Sequence, residues 1–479
     1  MTANTSDAAS EVRENISLKT GAKKTSWFSC KDECLGGSRL VILSFTGLTI
    51  AITISLIIQI YYGDYQIVPH GSVATDSTDC SLIGVDILKQ GGNAVDAAIG
   101  SALCLAVVNP HNTGVDARGV LMIYSHRTRA APEIIDFSNE TTIEIDNIPF
   151  TRLLTGLAYA HLKYGKLPWR DLVKPAANLA SQGFIVSSNL AQAVGKAKVE
   201  HLFSNLVAGK NVSFEILAST LHQIADISEN HLKEHLLSKT ELEKTKSLKT
   251  TFHNYNIYVP DSPTTGPLLA LNLQHVNNIS FTDSDVPKPE YMYRLAELLQ
   301  QLYADKDIVD NFHEGTSSNV AAVDLDDVYV SLVTGMYTLF GTQELTPRGY
   351  ILDVNATINT NTRLPIIITD KKYICGRRIV MGTGDLSIAT QVITSLLIGG
   401  EDASTSVEGP RFRILGSNII GTEDARKIKL DPAVSIYLQS LGKLESLPEP
   451  YSSCNVVEKS KDDLSSHSDS RGGGIAYRF

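Results

Sequence analysis

Apolar and polar positions divide the chain into three stretches. Residues 1–39 are polar and carry no sustained period, whereas 40–63 contain no charged residue and are rich in Leu, Ile and Val. That run is long enough to cross a bilayer core as one helix. Beyond it the hydrophobic period is mostly helical up to about 314 and mostly alternating afterwards. Helical spacing predicts helices over 77–88, 94–108, 149–164 and 169–181, a polar helical stretch over 187–243, and further helices over 268–276 and 289–309. Alternation predicts strands at 120–125, 133–137, 251–259, 320–323, 328–334, 350–354, 365–369 and 378–381. Helices return at 386–397 and 432–441, followed by a polar tail over 460–470 and a closing strand within 471–479. The pattern is that of an α+β protein whose main seam is residues 314–341, EGTSSNVAAVDLDDVYVSLVTGMYTLFG.

Composition adds limits. At 479 residues and 43% hydrophobic content the chain can bury a full core. A net charge of −10, with no basic stripe interleaved with aromatics, gives no electrostatic footprint for nucleic acid. Lys19, Lys23, Lys24, Lys31 and Arg39 precede the apolar run, and no Lys or Arg follows it until Lys89. The positive-inside rule then predicts a type II signal anchor, with 1–39 cytoplasmic, 40–63 in the membrane and 64–479 extracellular or lumenal. Sequons at Asn139, Asn211, Asn278 and Asn355 all fall on the lumenal side.

Of six cysteines, Cys30 and Cys34 lie in the tail, and Cys80, Cys104, Cys375 and Cys454 lie in the oxidising compartment, where they could pair. Cys80 and Cys104 fall on the two arms of the helical hairpin over 77–108, so a bridge between them would staple it. No spacing matches a metal site, and nothing points to a nucleotide or organic cofactor. Candidate chemistry gathers at the seam, where Thr316, Ser317 and Ser318 stand before a predicted hairpin. Hydroxyls there suit an activated nucleophile, and equally an ordinary turn.

Several motifs, in order along the ectodomain, resemble the gamma-glutamyltransferase (glutathione hydrolase) family. They are CSLIGVDILKQGGNAVDAAIGSALCLAVV at 80–108, GKLPWRDLVKPAANLASQGFIV at 165–186, residues 263–271, VEGPR at 407–411 and DSRGGG at 469–474. The resemblance implies an N-terminal nucleophile hydrolase-like αββα sandwich, made by a precursor that cuts itself into a helical part (64–316) and a strand-rich part (317–479). It also implies the paired cysteines Cys80 and Cys104, and an acyl-enzyme formed by the liberated N-terminal hydroxyl on glutathione or another gamma-glutamyl compound. The product of that cut would be a heterodimer of the chain's own two fragments.

Carried over residue by residue, the resemblance places Ser317 at the nucleophile, with Thr316 as the alternative register. The family's His two places on is Asn319, its supporting hydroxyl falls on Gly335 and that residue's Asn neighbour on Tyr337. Ser138 stands where an Arg would clamp the substrate carboxylate, and the acidic cluster for the alpha-amine aligns with 355–359, ending at Asn359. The two serines near the substrate become Asn361 and Thr362, and the oxyanion-hole glycines become Asp385 and Leu386. Asp116 and Arg118 intrude into the glycine-rich segment GVDARGV. These losses favour a catalytically lapsed relative. The alternatives are a working divergent gamma-glutamyl enzyme using Ser317 or Thr316, and a non-catalytic binding partner at the cell surface.

Overall fold

The computed structural model describes residues 37–62, 69–202, 206–238, 240–279, 281, 282, 285, 286, 288–303, 315–356, 360–416, 418–423 and 429–479. The apolar run forms a single helix, Gly37–Tyr62, whose stretch Arg39–Gln59 has a mean hydropathy of 2.4 and is long and apolar enough to cross a membrane.

The body from 69 onward is built on two antiparallel six-stranded sheets. The first runs Tyr477–Arg478, Ser72–Thr75, Ser318–Val323, Val328–Gly335, Arg118–Ser125, Glu133–Asp136 in spatial order. The second runs Asp463–His467, Asn455–Ser460, Arg378–Thr383, Leu364–Asp370, Tyr255–Pro260, Ser247–Phe252. Each sheet therefore mixes strands from before and after 316. The two faces meet through Ala74, Val120, Met122, Ala321 and Val323 on one side and Ile367, Val380 and Val457 on the other.

Period-2 alternation explains how one apolar run serves two layers. Val120 and Met122 face the second sheet, while Leu121 and Ile123 face the helical layer that holds Ala94–Val108, Arg152–Tyr164 and Trp169–Gln182. In the same way Ile367 and Val380 face inward, and Ile366, Ile368, Ile379 and Met381 face Gly266–Ile279, Pro289–Tyr303 and Leu386–Leu397. The result is α+β, with helices on the outer face of each sheet.

Local signals fix the helices nearest the centre. Asn93 caps Ala94–Val108 through Asp96 N, and Asp96 returns the bond to Asn93 N. The Asp96 carboxylate also accepts the backbone N–H of Lys166 and Leu167, which ties the following helix pair to this cap. Cys80 and Cys104 are bridged across the helical hairpin, Cα atoms 5.3 Å apart. Closing a loop of that length is worth about 3 kcal/mol on the chain-entropy estimate. Cys375 and Cys454 are unpaired: they sit at opposite ends of Asn455–Ser460, a strand of about 20 Å.

Several expectations are corrected. The stretch over 187–243 is four short pieces, Ser188–Ala197, Asn211–Val212, Glu215–Ala225 and Glu229–Leu236, plus a single turn at Thr240–Glu243, because capping serines at 187 and 228 restart the helix. The strand over 251–259 is a hairpin, Ser247–Phe252 and Tyr255–Pro260, turned at His253 with φ 51°. Residues 350–354 make only an isolated bridge, Leu345 to Ile351. The polar 460–470 contains the edge strand Asp463–His467, polar because it lies at the sheet margin. A three-stranded sheet of Phe412–Gly416, Ile419–Glu423 and Lys443–Leu447 is absent from the sequence reading. The predicted continuation of Pro289–Tyr303 to 309 lies outside the described residues, as do Cys30 and Cys34.

Candidate active site

Strand Ser318–Val323 is fully buried and pairs with Ser72–Thr75 on one side and Val328–Gly335 on the other. Thr316 and Ser317 sit at its entry. Thr316 is absorbed by backbone: its N–H donates to Met336 O at 2.9 Å, its hydroxyl donates to Asn112 O at 2.6 Å, and the same oxygen accepts from Met336 N at 2.9 Å. Ser317 is 7% exposed and packs against Gly384, where a Cβ would lie 2.6 Å from the Ser317 hydroxyl. Among the described residues no hydrogen bond reaches that hydroxyl. At Gly335 a Cβ would come within 1.8 Å of Thr316 O, so this backbone leaves no room for a supporting hydroxyl side chain.

Asn319 looks the other way, into a buried network. Its Nδ2 donates to Ser453 Oγ at 3.1 Å, and its Oδ1 accepts from Asn455 N at 2.9 Å. Asp76 is the hub: Oδ1 accepts from Ser453 Oγ and Asn455 Nδ2, both at 2.7 Å, and Oδ2 accepts from Asn319 N at 3.1 Å. Burial outweighs these bonds and raises the Asp76 carboxyl to about 6. From Asn455 the network continues to Asp469, which accepts from Arg411 Nη2 at 2.8 Å. Sequence reading missed Asp76 and this network, although the DSRGGG motif lies at its far end.

The clamp region is filled by Arg118, 1% exposed. Nε donates to Asp353 Oδ2 at 2.8 Å, Nη1 to Ser138 O at 3.0 Å and Asn139 Oδ1 at 3.4 Å, and Nη2 to Val354 O at 2.8 Å and Ala356 O at 2.7 Å. A guanidinium has five N–H groups, and all five have protein acceptors. Ser138 and Asn361, both expected at the substrate position, do come together: Asn361 Nδ2 donates to Ser138 Oγ at 2.6 Å. Thr362 is buried beside them in sequence, and Asn359 lies outside the described residues. A carboxylate does serve the segment, two residues before Asn355. It is Asp353, and its work is internal: beyond Arg118 it accepts from Tyr337 N at 2.7 Å.

Arg363 is the second residue that sequence reading missed; its signal is a lone charge at the start of the apolar run LPIIIT. It is 2% exposed, donates from Nη1 to Asn361 Oδ1 at 3.2 Å and from Nη2 to Met336 O at 3.4 Å, and its buried Nε has no partner. Burial lowers its pKa to about 10. Met336 O is the same carbonyl that accepts from Thr316 N, so this guanidinium stands within one residue of Ser317.

At the expected oxyanion position the Asp385 side chain has a structural task. The Asp385 carboxylate is committed to helix Leu386–Leu397 as its N-cap, accepting Ser387 N at 2.7 Å and Ile388 N at 3.1 Å, and it pairs with Arg413. It is a cap rather than a free charge facing Ser317. Leu386 is buried in the core of the second layer, because it is the first apolar position of that helix.

Two consequences can be measured. Burial raises the Asp76 carboxyl from its ordinary 3.8 to about 6 in the folded protein, so protonation stabilises the fold fully below pH 4 and that contribution is lost as pH rises through 6. The melting temperature of the wild type, taken relative to Asp76→Asn, should fall between pH 4 and pH 6; a constant difference across that window would contradict it. Arg118→Ala strands the buried Asp353 carboxylate and should cost about 3–5 kcal/mol in denaturant unfolding. A loss under about 1 kcal/mol would show that the guanidinium is not a structural tie.

Comparison with known proteins fits this architecture. A sequence profile described as Gamma-glutamyltranspeptidase matches residues 80–234. Glutathione hydrolase 7 of Bos taurus is 24% identical over 506 aligned positions, covering 80% of this chain and 75% of that protein. Glutathione hydrolase 7 of Homo sapiens is 22% identical, covering 82% and 76%. Among solved structures, the cephalosporin acylase from Bacillus halodurans superposes with a TM-score of 0.67 at 16% identity, covering 86% of this chain and 96% of that one, a likeness of fold. With a matched profile over residues 80–234 and relatives at 22–24% identity aligned along most of its length, the chain is similar to the gamma-glutamyltranspeptidase family at a distance.

Proposed function

We propose that this chain is a glutathione hydrolase-like membrane protein in which gamma-glutamyl transfer and hydrolysis are lost or much reduced. The relatives' name, glutathione hydrolase, supports the lineage. The observation that carries the loss is Arg118, the nearest cation to the clamp position Ser138, which has every N–H committed to protein acceptors. A substrate carboxylate there meets no free bidentate donor. The Ser317 hydroxyl agrees: a serine nucleophile needs an adjacent base, and among the described residues no hydrogen bond ties it to one.

A type II arrangement accompanies this reading, with residues 1–39 cytoplasmic, 40–63 as anchor and 64–479 extracellular or lumenal. It rests on the apolar helix and the cluster of lysines before it. Asn139, Asn211, Asn278 and Asn355 are all exposed, as acceptors of N-glycans must be.

One observation favours a second reading. The under-partnered Arg363 lies beside Asn361 and Thr316, where it would hold a carboxylate in a working enzyme that uses Ser317 or Thr316 on glutathione or related gamma-glutamyl compounds. Such an enzyme would be a heterodimer of 64–316 and 317–479.

A gamma-glutamyl anilide assay separates the two. The first reading expects wild-type release at the level of Ser317→Ala and Thr316→Ala. Release by the wild type that either substitution abolishes, and that Arg363→Met weakens through KM, would establish the second.

A further inference from the structure

Asn139 and Asn355 belong to segments far apart in sequence, yet both line one polar cleft of about 500 Å³. The charges at its base pair with one another: Arg118 with Asp353 at 2.8 Å and Arg152 with Asp116 at 2.8 Å. Its two lips are held by the same guanidinium. Arg118 Nη1 reaches Ser138 O on one lip, and Nη2 reaches Val354 O and Ala356 O on either side of Asn355 on the other. Both asparagines are exposed, and both head sequons, Asn139-Glu140-Thr141 and Asn355-Ala356-Thr357. Asn211 and Asn278, also exposed, are not among the residues that line this cleft.

We propose that Asn139 and Asn355 carry N-linked glycans and that the two sugars stand on opposite lips of this cleft, roofing it against anything larger than a small solute. This rests on the lumenal placement of residues 64–479 proposed above. In the modification the asparagine Nδ2 loses one proton to solvent and bonds to the anomeric carbon of an oligosaccharide, while that carbon's bond to a lipid-linked pyrophosphate breaks and the pyrophosphate leaves. Oδ1 is untouched, so Asn139 keeps the acceptor that Arg118 Nη1 uses at 3.4 Å. A glycan is bulky and hydrated, so two of them facing across a cleft this size exclude macromolecules.

The full chain, expressed in a eukaryotic secretory cell, is treated with peptide N-glycosidase in heavy-oxygen water, and its peptides are weighed. Conversion of both Asn139 and Asn355 to heavy aspartate is the expected result. Conversion at Asn211 and Asn278 but not at both cleft sites would overturn the proposal while leaving the lumenal placement intact. Conversion at none of the four would overturn both. For the roof itself, Thr142→Cys in a Cys30→Ser, Cys34→Ser, Cys375→Ser background is exposed to a polymer-linked maleimide. Labelling should be absent in the glycosylated protein and return with Asn139→Gln and Asn355→Gln, or with Thr141→Ala and Thr357→Ala if the glutamines impair folding. Equal labelling with and without the sequons would mean the cleft is open.

Discussion

A single buried guanidinium organises the region that decides what this protein does. Arg118 begins an inner strand of the first sheet, and its five hydrogen bonds hold Ser138, Asn139 and residues 353–356 around it. A charge taken this far from water is tolerated because Asp353 and four oxygens replace its hydration. The same replacement removes it from ligand chemistry, since a donor already bonded to protein can hold a substrate only by breaking those bonds. Arg363, a short distance away, is the contrast: it is equally buried, but its Nε is left unpaired.

The sheet topology sets a second constraint. Ser318–Val323 lies between Ser72–Thr75 and Val328–Gly335, and Arg378–Thr383 lies between Asn455–Ser460 and Leu364–Asp370, whose far neighbour is Tyr255–Pro260. Strands from both sides of 316 interleave in the first sheet and adjoin in the second, so a break at that point would leave two chains held by backbone ladders and by the packed face between the sheets. Catalytic status at Ser317 and integrity of the fold are therefore separable. Two glycines beside the start of the seam strand, Gly335 and Gly384, let backbones approach so closely that added side-chain atoms would collide with Thr316 or Ser317.

Much of this was legible in the sequence. Ala94–Val108 and Leu386–Leu397 match their predicted bounds, because their apolar positions recur at helical spacing. The strands around the seam were legible from β-branched runs. What the sequence concealed was set by long-range partners. Period alone could not reveal that 251–259 folds back at His253, or that the polar 463–467 pairs with Asn455–Ser460. Nor could alignment assign Asp353 to Arg118 or show Asp385 turned into its own helix, since both depend on where side chains meet in space.

The central claim is that Ser317 remains an ordinary internal serine, without the base or the clamp that would make it a nucleophile. Self-cleavage needs the hydroxyl and its immediate surroundings but no substrate, so it tests that claim most directly. Denaturing electrophoresis of the purified ectodomain, with N-terminal sequencing of every band, should give one undivided chain. Two fragments, the smaller beginning at Ser317 or Thr316 and both lost in the corresponding alanine variant, would contradict it.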